Sequence, residues 1–515
     1  MNDNIKKENL DNYITNINSD IYCLKQLPEE VLSVLLSYVS RSPNSFKDNL
    51  FSLIKDDTIS LDTASNKASA FHEKWTVNYG HKSVAQLSSI PICFDNVSIL
   101  ASKEIQDNRL GAYIEKSTRY QKFDNNSYYI PKISNKDKYI ELINYTFNVY
   151  NKLFEPLIEK LKIAYPNKDN KKESIYLNSL KVKACDILRY LLPTSTSTSF
   201  GAKFNAQSSE YMLTKLLSSQ LPECVDIGNK AKTEMLKICP TLVKYANKND
   251  FITDCTYNSK SIFKAYVEPS LVSKKEYNFD HDVSLREDYI NYNSLIDSTN
   301  VKLSTVLENI LNYPVKGLYQ DLFLNHIISN FIYPSCKTIS FDVLYRIISS
   351  LSNDDKKLMI KIILQSLNKH DQFPRCFEAI QFKLEIESDY GSFRDLQRHR
   401  MATQYKQILT PYKYSYHEDL LLLERKHIEM YKSVFEKQYD YYYKYFINSN
   451  SDVISQYCLS LGWNIRYMFD LDLRQLLYMI QLRTKKSGHV SYVNVMLNAK
   501  RLLLEYMPIL KEYIL

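Results

Sequence analysis

Glycine is scarce in this sequence, at eight residues in 515, where average usage of about 7% would give roughly 36. The eight stand at 80, 111, 201, 228, 317, 391, 462 and 488. No two are close enough to build GxGxxG, a P-loop or a GxSxG elbow. Any bound nucleotide must therefore be held by side chains, helix N-termini and ordinary turns. The nine cysteines are scattered and never spaced CxxC, which predicts buried thiols in a reducing compartment. The nine histidines make no HExxH, so no zinc site is expected from a local motif. No apolar run approaches the roughly 18 residues of a membrane span, and the start MNDNIKKENLDNYI has no apolar core of a signal peptide. The expectation is a cytoplasmic chain that contacts no membrane. A charge of one sign is also missing: 66 basic and 58 acidic residues give +8. That leaves a mild bias toward anionic ligands and falls short of a nucleic-acid binder's footprint.

What is present is helical spacing. Apolar residues recur at i, i+3 and i+4 near 28–40, 64–77, 97–117, 137–163, 173–192, 205–220, 225–245, 340–369, 418–447, 453–481 and 490–512. Short strands are expected at Leu87–Phe94 and Phe377–Ile386, each leading into a helix through Asp or Ser caps. The fold class is α+β, mainly helical. Between about 246 and 300 the chain turns polar and irregular, as a connection between two units would.

The two units resemble each other. LPEEVLSVLLSYVSRSPNSF (27–46) is similar to NHIISNFIYPSCKTISF (325–341), and DNRLGAYIEKSTRY (107–120) lies over RHRMATQYKQILTP (398–411) at an offset of 291. ILRYLLP (187–193) lies over ISQYCLS (454–460), and FNAQ (204–207) over LDLR (471–474). Four blocks in the same order indicate a tandem duplication with boundaries expected at 1–250, 251–324 and 325–515.

The most specific segment is DYGSFRDLQRHRMATQYKQ (389–407). Arg398, His399 and Arg400 in a row project about 100° apart on a helix, so they serve ligands on different sides rather than one. An Arg fork suits a phosphate or a polarised carbonyl. Taken alone, these residues fit better a solvated basic helix face or ion pairs with neighbours such as Asp395.

YGHKSVAQ (79–86) followed by NRLGAYIEKSTRYQ (108–121) resembles the flavin-dependent thymidylate synthase family, whose signature is RHR, then Ser after seven residues, then Arg-Tyr. Arg109, Glu115, Ser117, Arg119 and Tyr120 fall on that signature in the first copy, and His81 and Ser83 on its upstream turn. Arg189 and Pro193 match RYLLP, and Asn205 matches NAQ. The second copy keeps RHR, with Glu378 in RCFEAIQF and Arg483 in YMIQLRT. The resemblance covers roughly 27–245 and 325–510. It implies two repeats, each a small antiparallel sheet packed with long helices. It also implies reductive methylation of dUMP to dTMP, with FAD as cofactor and NADPH and methylenetetrahydrofolate as co-substrates. The residues implied for dUMP are Glu115, Ser117, Arg119 and Arg189. Those implied for FAD are His81, Ser83, Glu378, His399, Arg400, Asn205 and Arg483. Arg398, Arg109 and Ser117 are implied in catalysis, and no metal is. A homodimer of such tandem chains would rebuild the family's four-repeat assembly.

The departures are largely complementary. In the first copy Asp107-Asn108 replace Arg-His, Gln86 replaces a flavin-side Glu, and Lys215-Leu216 stand where the second copy has Leu482-Arg483. In the second copy Ile408 and Thr410-Pro411 stand where Ser and Arg-Tyr are expected. The family's late Arg on uracil falls at Val493 in one copy and Asp226 in the other. Other readings stay open at several points. His81 can cap a helix, Ser117 and Arg119 can be a capping pair, and His489 fits a structural turn. TSTSTS (194–199) reads as a loop, and YDYYYKYF (439–446) as core or as a base-stacking face. For the whole chain the alternative is a decayed homologue that binds flavin or nucleotide and acts in assembly or regulation; an RNA-binding protein is a third reading.

Overall fold

In the computed structural model the described residues are 10–38, 43–54, 82–123, 127–169, 172–267, 300–305, 316–368, 371–446, 452–485 and 487–514. Along the chain run α1 (Glu29–Tyr38), α2 (Phe46–Ile54), β1 (Ile90–Ser98), α3 (Ile99–Ile105), β2 (Ala112–Glu115), α4 (Lys136–Ala164), α5 (Glu173–Leu188) and β3 (Ser197–Phe204). Then come α6 (Ala206–Leu217), α7 (Pro222–Met235), α8 (Asp250–Ile262), β4 (Asn300–Thr305), α9 (Lys316–Ile332), α10 (Phe341–Ser349) and α11 (Asn353–Leu364). The last are β5 (Gln381–Asp389), α12 (Tyr390–Leu396), β6 (Thr403–Lys406), α13 (Arg425–Tyr445), β7 (Asn464–Asp472), α14 (Leu473–Arg483) and α15 (Val490–Tyr506). Two compact units interleave along the chain: Met1–Lys116 with Ser197–Asp282, and Ser117–Thr196 with Val283–Leu515.

The first unit is built on an antiparallel sheet of order β1-β3-β2, with Ile90 opposite Phe204 and Ala112 opposite Lys203. A bulge between Phe94 and Val97, with Asn96 at φ 56°, bends β1. The strand then hands over to α3 at Ser98, whose Oγ accepts from Ala101 N (2.9 Å) and donates to buried Glu223 (2.6 Å). β3 hands over to α6 in the same way at Asn205, which accepts from Ser208 N (2.7 Å). Leu10, Ile14, Leu35 and Leu50 form a separate small core over α1 and α2.

The second unit repeats the plan. Its antiparallel sheet has the order β4-β5-β7-β6, and β5 pairs with β7 over its full length, Gln381 opposite Asp472 to Asp389 opposite Asn464. Phe382, Leu384 and Ile386 alternate inward on β5, as do Ile465, Tyr467, Phe469 and Leu471 on β7, so the period of two puts one face of each strand in the core. Asp389 and Asp472 cap α12 and α14 as Ser98 and Asn205 cap α3 and α6. β1, α3 and β2 correspond to β5, α12 and β6 at the offset of 291 read from the sequence.

The long helices α4 and α13 pack together in this unit around an approximate two-fold. Thr194 N donates to Leu459 O (2.9 Å) and Leu461 N to Leu192 O (2.9 Å), the same bond made twice with the copies exchanged. The bridges Tyr128 to Thr196 and Tyr414 to Trp463 are likewise equivalent. Gln438 organises the centre: its Nε2 donates to Ser460 Oγ (2.6 Å), and its Oε1 accepts from Ser460 N (3.1 Å) and Trp463 Nε1 (2.8 Å). Gly462 is required here by space, since a Cβ would lie 2.8 Å from the Phe435 ring and 3.0 Å from Tyr190 O.

Mainly helical α+β architecture with a small antiparallel sheet in each repeat is as expected, but several elements differ. The helix expected at 97–117 is α3 followed by strand β2, and 340–369 is two helices. Besides β2, the strands β3, β4, β6 and β7 were not expected: β3 starts in the Thr/Ser stretch read as a loop, and β7 lies inside the helix expected at 453–481. The helix expected at 64–77 lies outside the described residues. β4, in the connecting stretch, adds an edge to the second sheet. Cys185, Cys224, Cys239 and Cys458 are buried as expected, whereas Cys23, Cys93 and Cys255 are exposed. In the tyrosine run 439–446 the aromatic side chains are buried or half-buried and pack on one another, Tyr439 on Tyr443 at 4.2 Å, while Asp440 and Lys444 are exposed, which fits core packing. Among the described residues no helix is long and apolar enough to cross a membrane.

Candidate functional site

The second unit brings residues of both copies into one charged cluster. From the first copy come the loop Ser117–Arg119 after β2 and the end of α5 with Asp186 and Arg189; from the second come α12, the turn Arg398–Arg400, the end of α14 with Arg483, and the start of α15. Arg119 Nε and Nη2 donate to Asp186 Oδ1 (2.7 Å) and Oδ2 (3.0 Å). Its Nη2 also donates to Ser487 O (3.2 Å), and its Nη1 to Tyr492 Oη (3.3 Å). Ser117 Oγ accepts from Arg119 N (3.2 Å), the local bond that shapes this loop. The Tyr492 ring has Arg119 6.0 Å from its centroid and Arg483 5.7 Å away.

Arg189 is 2% exposed and donates Nη1 to Asp395 (2.9 Å), while its Nε and Nη2 are buried and unpartnered. Its guanidinium lies over the first turn of α12, where Gly391 makes room: a Cβ there would be 3.2 Å from Arg189 Nη2 and 2.9 Å from Asp389 Oδ1. Asp389 is fully buried and accepts from Ser392 N (2.8 Å), Ser392 Oγ (2.8 Å) and Ser491 Oγ. Burial pushes its carboxyl up, with Arg189 opposing. Burial also acts upward on Asp395 and Asp186. There the arginines win: Arg189 and Arg398 hold Asp395 low, and Arg119 and Arg189 hold Asp186 low, while His489, itself brought down to about 3, is uncharged at neutral pH.

His399 accepts at Nε2 from Arg483 Nε (2.9 Å) and stands edge-on to the exposed ring of Tyr478 (5.8 Å). Burial, Arg483 and Arg400 bring its pKa down to about 3, so at neutral pH it is an uncharged acceptor, not the potential cation of the RHR motif. Burial lowers Arg483 as well. Arg398 is exposed and Arg400 half-buried. His489, absent from the expected site residues, sits beside Asp186. Its Nδ1 accepts from Ser491 N (3.2 Å) as the cap of α15, and its Nε2 faces Asp186 O (3.3 Å). Only its GHxS turn signalled it in the sequence.

The other expected residues lie elsewhere. Glu378 is tied to Arg375 (3.0 Å) and Arg474 (3.0 Å), at the end of β5 opposite to Asp389. In the first unit Glu115 forms a buried ion pair with Lys103 (2.7 Å) and accepts from Ser102 (3.0 Å) and Gln106 (3.1 Å). Arg109 is exposed there, and Asn205 is the cap of α6. Ser83 is in the turn Lys82–Leu87, and His81 lies outside the described residues. A separate cleft of about 480 Å³ lies in this unit between α6 and the start of α8, lined among others by Gln207, Tyr211, Thr214, Tyr245 and Asn249.

The cluster in the second unit offers several guanidiniums, two of whose donors are buried and unpartnered on Arg189, beside the rings of Tyr478 and Tyr492. That donor set suits an anionic, planar ligand such as a nucleotide or a flavin. The family described as thymidylate synthase complementing protein matches residues 31–241 and 337–509. A UPF0159 protein of Chlamydia muridarum is 28% identical over 99% of this chain and 94% of its own length, and one of Chlamydia pneumoniae is 26% identical over 98% and 92%. Among solved structures, flavin-dependent thymidylate synthase from Helicobacter pylori, complexed with FAD and dUMP, aligns with 43% of this chain and 96% of its own at 16% identity and a TM-score of 0.29.

Proposed function

This chain belongs to the thymidylate synthase complementing protein family, and from that premise we propose that it is a flavin-dependent thymidylate synthase converting dUMP to dTMP with methylenetetrahydrofolate and NADPH. The observation that carries the proposal is the meeting of Arg119 and Arg189 from one repeat with Arg398, His399 and Arg483 from the other inside a single compact unit. The repeats are proposed to span 1–250 and 325–515, joined by 251–324.

Bound FAD would supply the redox chemistry that amino-acid side chains lack. The remaining tasks fall to residues of this chain. Arg189 is proposed to turn its unpartnered Nε and Nη2 to an acceptor on the substrate, which requires the packing that now seals them from solvent to open. Arg398, exposed and cationic, stabilises negative charge that develops on the uracil ring. Neutral His399 holds the Arg483 guanidinium in place rather than moving a proton. Within the second unit Arg400 and Arg483 are proposed on the flavin side, and Ser117 and Arg119 on the nucleotide. Two chains are proposed to assemble into a four-repeat homodimer in the cytoplasm.

One observation favours the second reading, a flavin- or nucleotide-binding protein without turnover: both fork donors of Arg119 are already spent on Asp186. Purified protein is expected to carry or take up FAD, with the yellow flavin spectrum. It is expected to release tritium from 5-tritiated dUMP when given NADPH and methylenetetrahydrofolate. Flavin without release supports the second reading, and a protein that takes up no FAD overturns the first.

A further inference from the structure

We propose that Asp186 sets the affinity of the nucleotide site for a phosphate: its carboxylate occupies the face of Arg119 that a phosphate would take, so nucleotide enters by exchange with an ion pair already formed. The proposal rests on reading the cluster as a dUMP site. Its basis is the donor inventory of Arg119. A guanidinium has five N–H groups in a fixed fork. Nε and one Nη2 hydrogen go to the two oxygens of Asp186, the second Nη2 hydrogen to Ser487 O, and one Nη1 hydrogen to Tyr492 Oη. A single N–H is left over: of the two edges that bind oxyanions bidentately, Asp186 holds the Nε/Nη2 edge and Ser487 O takes the Nη2 hydrogen of the other.

The location of Asp186 points the same way. It is in the last turn of α5, where a carboxylate faces the negative end of the helix macrodipole and is disfavoured. Burial disfavours its charge further, and the guanidiniums of Arg119 and Arg189 hold it ionised. Three residues on, Arg189 is 2% exposed with two unpartnered donors, so the surroundings hold more cationic donors than Asp186 can satisfy. A phosphate, with three terminal oxygens and up to two charges, satisfies more of them than a carboxylate does. Asp186 is thus a removable occupant whose cost of displacement is subtracted from the affinity for the nucleotide and not from that for the nucleoside.

The test measures dUMP and deoxyuridine binding calorimetrically to the full-length chain with FAD present, for the wild type, Asp186→Asn and Asp186→Ser. Melting temperatures and flavin spectra show which variants are folded, and the serine variant stands in if the asparagine one is not. The expected result is dUMP affinity raised about tenfold with deoxyuridine affinity changed less than about twofold, and a steeper loss of dUMP affinity with salt. Unchanged or weaker dUMP binding by the folded variants, with the wild type still binding dUMP, overturns the proposal and makes Asp186 a residue that orients Arg119. If neither wild type nor variants bind dUMP although FAD is taken up, the nucleotide reading of the cluster falls, and this proposal with it.

Discussion

His489 shows how burial fixes the charge of a single side chain. Fully buried, it accepts a hydrogen bond at Nδ1 from Ser491 N and faces Asp186 O with Nε2, and burial followed by Arg189 brings its pKa to about 3. In the unfolded chain the same imidazole titrates near 6.5. Above that value both states are neutral and the full stability is present. As pH falls from about 6.5 toward 3 the unfolded chain takes up a proton that the folded one refuses, so stability declines. Urea unfolding is therefore expected to give a free energy that falls as the pH drops below 6.5, with this imidazole contributing about 1.4 kcal/mol per pH unit and His399, also brought down to about 3, adding its own share. Asp186 and Asp395, whose carboxyls are held low, join in only below about pH 4. His489→Asn keeps a side-chain acceptor for the cap of α15 and is expected to flatten the slope between pH 6.5 and 4.5. An unchanged slope would mean that the histidine is not the proton-linked group. The turn role of His489 was legible from its sequence neighbours; its link to Asp186, about 300 residues earlier, was not, because spacing carries no information on contacts between distant segments.

At the scale of elements, the strand-to-helix junctions carry the most information. Ser98, Asn205, Asp389 and Asp472 each end or directly follow a strand and accept a backbone N–H from the first turn of the next helix. Asp472→Ala removes the bond from Gln475 N (2.8 Å) that starts α14. It is expected to cost about 1 kcal/mol, with Asp472→Asn close to neutral. Thermal unfolding of the two variants checks this, and equal losses would indicate that charge rather than capping matters there. These junctions were legible in part: residues 204–207 and 471–474 were matched although neither strand leading into them was recognised. In β7 the alternation of Ile465, Tyr467, Phe469 and Leu471 is followed at once by the helical apolar residues of α14, and a window spanning both satisfies the helical spacing. In β3 the small residues weaken the pattern, since Thr198 and Ala202 are buried where a larger apolar side chain would have signalled the inward face. The charged site was read by motif, residue by residue. What the motif could not supply was which cations are already paired: Arg119 with Asp186, Glu115 with Lys103, and Glu378 with two arginines.

For the whole chain, the approximate two-fold in the second unit raises the question of how many sites a duplicated protein keeps. The register of the repeats puts Thr410, Val453 and Gln456 at the positions of Arg119, Asp186 and Arg189, and Asp107, Asn108 and Leu216 at those of Arg398, His399 and Leu482-Arg483's arginine. Of the guanidiniums of the first set, the second therefore keeps Arg109 alone, at the position of Arg400, and one nucleotide per chain is the expected stoichiometry. The retained set draws on both repeats but lies within one compact unit of one chain. This gives a complementation test a definite sign. Arg119→Ala and Arg398→Ala each remove a cation from the same cluster, so chains carrying one defect each cannot restore it for one another. Mixing the two variants after dissociation and reassociation is expected to leave tritium release from dUMP at the level of the single variants. If Arg119 of one chain instead served Arg398 of another, random pairing would regenerate intact sites and return activity on the order of a quarter of wild type. Recovery of that size would place the site across two chains and refute the single-unit arrangement.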